Sequence, residues 1–196
     1  MTSPIISEKP NRDNLQAASE DDSWPEPADD ADDYQQWITA ANHHIEHNID
    51  DSRWLALLAQ AKPCCMALTD QICSDQNHKD MCLSVLWTDD ETITQLNTQF
   101  RQKHNATNIL SFPGDLSQAE KTGYVGDMVL AYETVIYEAE SLNRPVLHHI
   151  AHLFVHGLLH LYGFDHHTEA EATMMETKEI MLLAGQNIPN PYTEKE

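Results

Sequence analysis

The chain has 196 residues, with 11 Lys plus Arg against 32 Asp plus Glu and a formal net charge of −21. That length supports one hydrophobic core, and the acidity argues against tight nonspecific binding to nucleic acid, DNA above all. No stretch reaches the apolar length of a membrane span, and no basic-then-apolar segment of signal-peptide type opens the chain, so the expected setting is cytoplasmic.

Residues 1–33 carry ten acids against two bases, hold few apolar residues and are interrupted by Pro10, Pro25 and Pro27. This composition predicts a solvated, disordered arm, which leaves 34–196 as a single domain. Residues 34–61 read as one or two helices. Trp37, Ile38, Ala41 and Ile45 recur at helical spacing, Trp54, Leu55, Leu57, Leu58 and Ala61 form a second apolar set, and Pro63 closes the region. His43, His44 and His47 read as a solvated helix face rather than a second metal cluster. Residues 64–81 read as loop.

The segment CLSVLW alternates through Leu83, Val85 and Trp87, which predicts a strand. Thr88 and Glu91 have capping-box spacing ahead of a helix with an Ile93, Leu96, Phe100 stripe. NILSFP is a second strand stopped by Pro113. Residues 114–123 form a polar loop, and YVGDMVLA is a third strand, with Gly126 marking a bulge or a close backbone approach. Residues 132–142 are helical. Pro145 suits the first turn of a further helix that runs to about Tyr162. That helix is apolar over most of its circumference, so it belongs at the centre of the fold. Thr168 and Glu171 cap a last helix that ends at Gly185, with Met174, Met175 and Met181 in core packing. The four cysteines, Cys64, Cys65, Cys73 and Cys82, form no C-x-x-C pair and read as free thiols of a reducing compartment. Strands interleaved with helices, several too close for repeated crossovers, give an α+β fold with a small mixed sheet.

The central helix carries the chemistry. Its polar stripe is His149, His152, His156 and His160, within the run HGLLHLYGFDH. His156 and His160 lie one turn apart on one face. Gly163 ends the helix and lets the chain fold back to present His166. Three imidazoles converging on one point are a ligand set for one zinc or similar divalent ion, with a fourth position left open as in catalytic sites. His149 and His152 read as structural neighbours of that site. Asp165 either orients a ligand imidazole or caps the following turn. The spacing H-x-x-x-H-x-x-G-x-x-H is that of metzincin proteases, but their general base, a Glu after the first histidine, is here Gly157.

HGLLHLYGFDH, together with LNTQFRQKHNATNILSFP and VGDMVLA upstream, resembles the YbeY family of bacterial endoribonucleases. The likeness runs from about residue 83 to Tyr192 and includes the ending EIMLLAGQNIPNPY. His104, Asn105 and Ala106 depart from the family's usual acid, variable residue and proline. The resemblance implies an α+β fold with a mostly four-stranded sheet and the metal site on a central helix and the turn after it. It implies one zinc per chain on His156, His160 and His166, and a functional role for Arg101. It places Ser111 on a strand bordering the cleft. It further implies cleavage of single-stranded precursor rRNA, maturation of the 16S 3′ end and late quality control of the small subunit, with ribosomal and assembly-factor partners. Chemically, Arg101 suits the charge that builds on a phosphodiester as it breaks, and Lys103 a neighbouring phosphate. The rival readings are a metallopeptidase-like hydrolase and a noncatalytic ribosome-assembly factor with structural zinc.

Overall fold

A computed structural model describes residues 34–193, so the predicted acidic arm at 1–33 lies outside the described residues. The elements in chain order are β1 (Tyr34–Ile38), β2 (His44–Ile49), α1 (Trp54–Asp75), β3 (Cys82–Thr88), α2 (Asp90–Arg101) and β4 (Ile109–Pro113). They continue with α3 (Leu116–Thr122), β5 (Tyr124–Ala131), α4 (Tyr132–Ser141), α5 (Val146–Leu161) and α6 (Glu169–Gly185). The strands form one five-stranded mixed sheet in the order β1-β2-β3-β5-β4. The middle strands β2, β3 and β5 run parallel, while β1 and β4 are antiparallel edges.

The mixed α and β architecture is the one predicted, but the sheet has five strands rather than mostly four. The additional pairing comes from 34–49, which forms the β1–β2 hairpin and not a helix. Ile45, His47 and Ile49 are buried at period two and sit opposite Leu83, Val85 and Trp87 of β3. Burial in the sheet thus decides the conformation, and the helical spacing of Trp37, Ala41 and Ile45 is incidental. The reading of His43, His44 and His47 as a solvated helix face falls with it. His43 and His47 are buried. His43 Nδ1 accepts the Met81 backbone N–H at 3.1 Å, and His47 Nδ1 accepts the indole N–H of Trp87 at 2.9 Å.

The loop predicted at 64–81 is largely helix. α1 runs through Pro63 to Asp75, with Trp54, Leu58, Ala61, Cys65, Leu68 and Ile72 buried along one stripe. Residues 114–123 likewise contain the short α3. The cap of α2 is Asp89, whose side chain accepts the Thr92 N–H, rather than the Thr88–Glu91 pair. Pro145 precedes the first turn of α5 as its N-cap. The Thr168–Glu171 capping box of α6 is present as predicted. Met175 is buried, but Met174 and Met181 point to solvent, 62% and 67% exposed. All four cysteines are free.

Between Cys82 and Leu83 the pairing with β5 jumps from Tyr124 to Gly126, so the predicted irregularity at Gly126 is a bulge. A Cβ at Gly126 would stand 2.3 Å from the Phe112 carbonyl oxygen. Helix α5 is the keystone. It packs on β4, β5, α1, α4 and α6, and every residue from His149 to Leu161 is buried. A helix with four buried histidines needs a polar partner for each of them.

Candidate metal centre

The site begins with how α5 stops. Tyr162 is its C-cap and Gly163 takes φ +83°. Phe164 N–H bonds to Leu159 O at 3.1 Å and Gly163 N–H to His160 O at 2.9 Å. These two bonds make a Schellman motif, which only a left-handed residue completes at low cost. A Cβ at Gly163 would meet nothing within 4 Å, so the glycine is there for its φ and not for space. The reversal brings Phe164 O to His160 Nδ1 at 2.9 Å and carries His166 back over the helix.

His156, His160 and His166 meet as the sequence predicts, with one potential ligand atom from each lying within 4.8 Å of the others. His156 Nε2 and His160 Nε2 are 3.0 Å apart. Tetrahedral zinc at its usual bond length separates neighbouring nitrogens by about 3.3 Å. The donor set fits a metal on a second ground. His160 commits Nδ1 to a carbonyl and His156 commits Nδ1 to the Glu179 carboxylate at 2.8 Å, which leaves both Nε2 lone pairs facing the gap. His166 Nε2 is buried with no hydrogen-bond partner. Burial, then the adjacent His156 and His166, pushes His160 down to about 3. Burial lowers His166 as well. At neutral pH both rings therefore offer lone pairs, the state a metal ligand requires.

The Asp165 carboxylate accepts the His166 backbone N–H at 2.9 Å and pairs with His167 Nε2 at 3.1 Å. It braces the turn that carries His166. Gly157, where a metzincin base would stand, faces the sheet. A Cβ there would lie 2.6 Å from Ile109 Cδ1, 2.7 Å from Met128 Sδ and 3.1 Å from Ser111 Oγ. A side chain here would have to displace Ile109, Met128 and Ser111, so the helix face at 157 is packed on the sheet and the protease-type glutamate is absent from the sequence.

The same close approach sets Ser111, on β4, beside the residue that follows His156. Arg101 ends α2 and donates from Nη2 to Ser111 O at 3.3 Å. Arg101 and Ser111 are thereby brought to the strand that flanks the histidines. Lys103 lies two residues past α2, half-buried, with its backbone held by Asn97 O and Thr98 Oγ1. Asn97 Nδ2 also donates to Asn105 O at 2.8 Å, so the loop at His104–Ala106 is pinned from the helix before it.

The residue that sequence reading missed is Glu179. It is fully buried in α6 and receives hydrogen bonds from His156, His152 and Tyr192. Burial alone would raise its carboxyl, but the hydrogen bonds from His152 and His156 outweigh that and hold it below the usual carboxylate range. The available signal was an acid at a position of α6 flanked by the buried Met175, Leu182 and Leu183.

Comparison with known proteins identifies relatives of this chain. The family model described as Endoribonuclease YbeY matches residues 40–187. An Endoribonuclease YbeY from Jannaschia sp. is 41% identical over 160 residues, 76% of this chain and 99% of the relative. One from Cereibacter sphaeroides is 36% identical over 76% of this chain and 98% of its own length. One from Rhodopseudomonas palustris is 48% identical over 113 residues, 56% of this chain and 60% of the relative. Among solved structures, TM1509 from Thermotoga maritima aligns with a TM-score of 0.48 at 19% identity, covering 73% of this chain and 91% of that one.

Proposed function

The chain belongs to the YbeY family of endoribonucleases, and from that premise we propose that it is a zinc-dependent, single-strand-specific endoribonuclease of rRNA maturation. Its substrate is RNA. The finer assignment is processing at the 16S 3′ end and late quality control of the small subunit, in the cytoplasm, with the ribosome and its assembly factors as partners. Residues 34–196 are the catalytic domain in this reading and 1–33 an accessory acidic arm.

The observation that carries the metal assignment is the unpartnered, buried His166 Nε2 beside two further Nε2 atoms 3.0 Å apart. His156, His160 and His166 would hold one zinc. When bound, zinc supplies Lewis acidity toward a phosphoryl oxygen and acidifies water. Arg101 meets the negative charge that grows on the phosphate oxygens with its planar fork of donors. Lys103 contacts a neighbouring phosphate, and Ser111 borders the cleft on the strand that Arg101 reaches. The peptidase reading lacks its base, because glycine stands at 157.

The test is cleavage of a single-stranded RNA by purified protein. Arg101→Ala is expected to lower kcat/KM by at least about 10²-fold, with the melting temperature unchanged. Wild-type cleavage by that variant would remove Arg101 from the chemistry. Undiminished cleavage after exhaustive chelation would remove the metal.

A further inference from the structure

Between the ligand histidines and the C-terminal tail runs one continuous chain of side-chain hydrogen bonds, and its directions can be worked out. Arginine only donates. Arg144 Nη1 stands 3.4 Å from both His149 Nδ1 and His152 Nδ1, so those atoms accept. The ring protons of both histidines therefore sit on Nε2. His149 Nε2–H points at Glu138 Oε2, 2.9 Å away, and His152 Nε2–H at Glu179 Oε2, 3.1 Å away. Tyr192 O–H donates to the same Glu179 oxygen. Glu179 Oε1 is left to accept Nδ1–H of His156 at 2.8 Å.

The ligands solve one problem in two ways. An imidazole that binds metal through Nε2 needs an acceptor for its Nδ1 proton, which fixes tautomer and ring orientation. His160 is near the helix end, and the chain reversal supplies Phe164 O. His156 is in mid-helix, where backbone carbonyls are spent on the helix itself. Its acceptor has to come from another element, and α6 supplies Glu179. A buried carboxylate is costly unless fully hydrogen-bonded, and here the remaining donors come from His152 and from the tail. The tail is fastened at two consecutive residues, with Arg144 Nη2 donating to Pro191 O at 2.6 Å and the Tyr192 ring set edge-on to His152.

We propose that Glu179 is the positioning residue of this metal centre, fixing the His156 tautomer, and that the tail residue Tyr192 completes the site by saturating Glu179. The inference rests on the metal reading above.

The experiment measures zinc affinity of the full chain by competition with a chromophoric chelator, and the visible bands of the cobalt-substituted protein. Glu179→Gln keeps the shape but sets an amide N–H₂ against the donors of His152 and Tyr192. It is expected to weaken zinc binding by about 10–100-fold and to shift the cobalt bands. Tyr192→Phe, which removes one hydroxyl, is expected to weaken it several-fold with the metal-free melting temperature unchanged. That second variant decides the matter if Glu179→Gln fails to fold. Wild-type affinity in these variants, while His160→Ala loses zinc, would overturn the role of Glu179 and leave the metal centre standing. Equal zinc binding by wild type and His160→Ala would overturn the metal centre and this inference together.

Discussion

His47 shows what burying a titratable side chain in this core does to stability. It is 1% exposed, with Nδ1 taken by Trp87 and Nε2 unpartnered. Burial, then the charge of Lys62, pushes it from 6.5 to about 3. Below pH 6.5 the unfolded chain takes up a proton that the folded one refuses. The stability tied to this group is therefore complete above pH 6.5 and is lost as pH falls from 6.5 toward 3. His47→Asn keeps an acceptor for the indole and removes the titration. Urea midpoints measured from about pH 7 to about pH 4 should fall more steeply for wild type than for the variant, and parallel curves would reject the assignment. The ligand trio was legible in the sequence because its geometry is local: one helical turn, one glycine, three more residues. Glu179 was not, because its meaning lies in a partner 23 positions away on another helix. A glutamate inside a helix reads as solvated until the packing of α5 on α6 is known.

At the level of elements, α1 separates what a local rule predicts from what packing allows. Proline removes an N–H and crowds the preceding turn, so Pro63 reads as a stop. Yet Leu58, Ala61, Cys65, Leu68 and Ile72 hold one buried stripe across it, and α1 packs on α5 and α6. Burial of that stripe offsets the local penalty. Following the period through the proline would have recovered the helix, whereas treating proline as decisive lost twelve residues of it, 64–75. Strand β2 failed in the opposite sense: Ile45, His47 and Ile49 alternate, but a histidine at the central inward position hides the period. The segments read correctly, β3, α2, β4, β5, α4, α5 and α6, are those whose period no local signal contradicts. Pro63 is exposed, so Pro63→Ala should restore a backbone hydrogen bond with no loss of packing and stabilise the protein by about 1–3 kcal/mol. RNA cleavage should not change. A destabilised variant would mean that the proline shapes a bend that α1 needs.

For the whole molecule, the balance of charge and reaction sets the terms of substrate binding. An enzyme that cuts a polyanion has here 11 cationic side chains against 32 acidic ones. Several of the cations are already paired within the chain: Arg53 with Asp51 and Glu133, Lys178 with Asp75, and Arg144 with the histidine chain. Overall repulsion and a short supply of cations both predict weak intrinsic affinity for RNA, with delivery to the cut site left to a partner that supplies the missing positive charge. The salt dependence of binding tests this directly. Each phosphate neutralised on a single strand contributes about −0.7 to the slope of log K against log salt. If Arg101 and Lys103 carry the contact, the slope for a short single-stranded RNA should be near −1.4. Arg101→Ala should bring it to about −0.7, since one phosphate contact is lost. A steep slope, of a size that needs six or more cations, would place a basic surface elsewhere on the chain and would contradict the partner-delivered mode. A slope unaltered by Arg101→Ala would show that its guanidinium does not meet the backbone of the substrate.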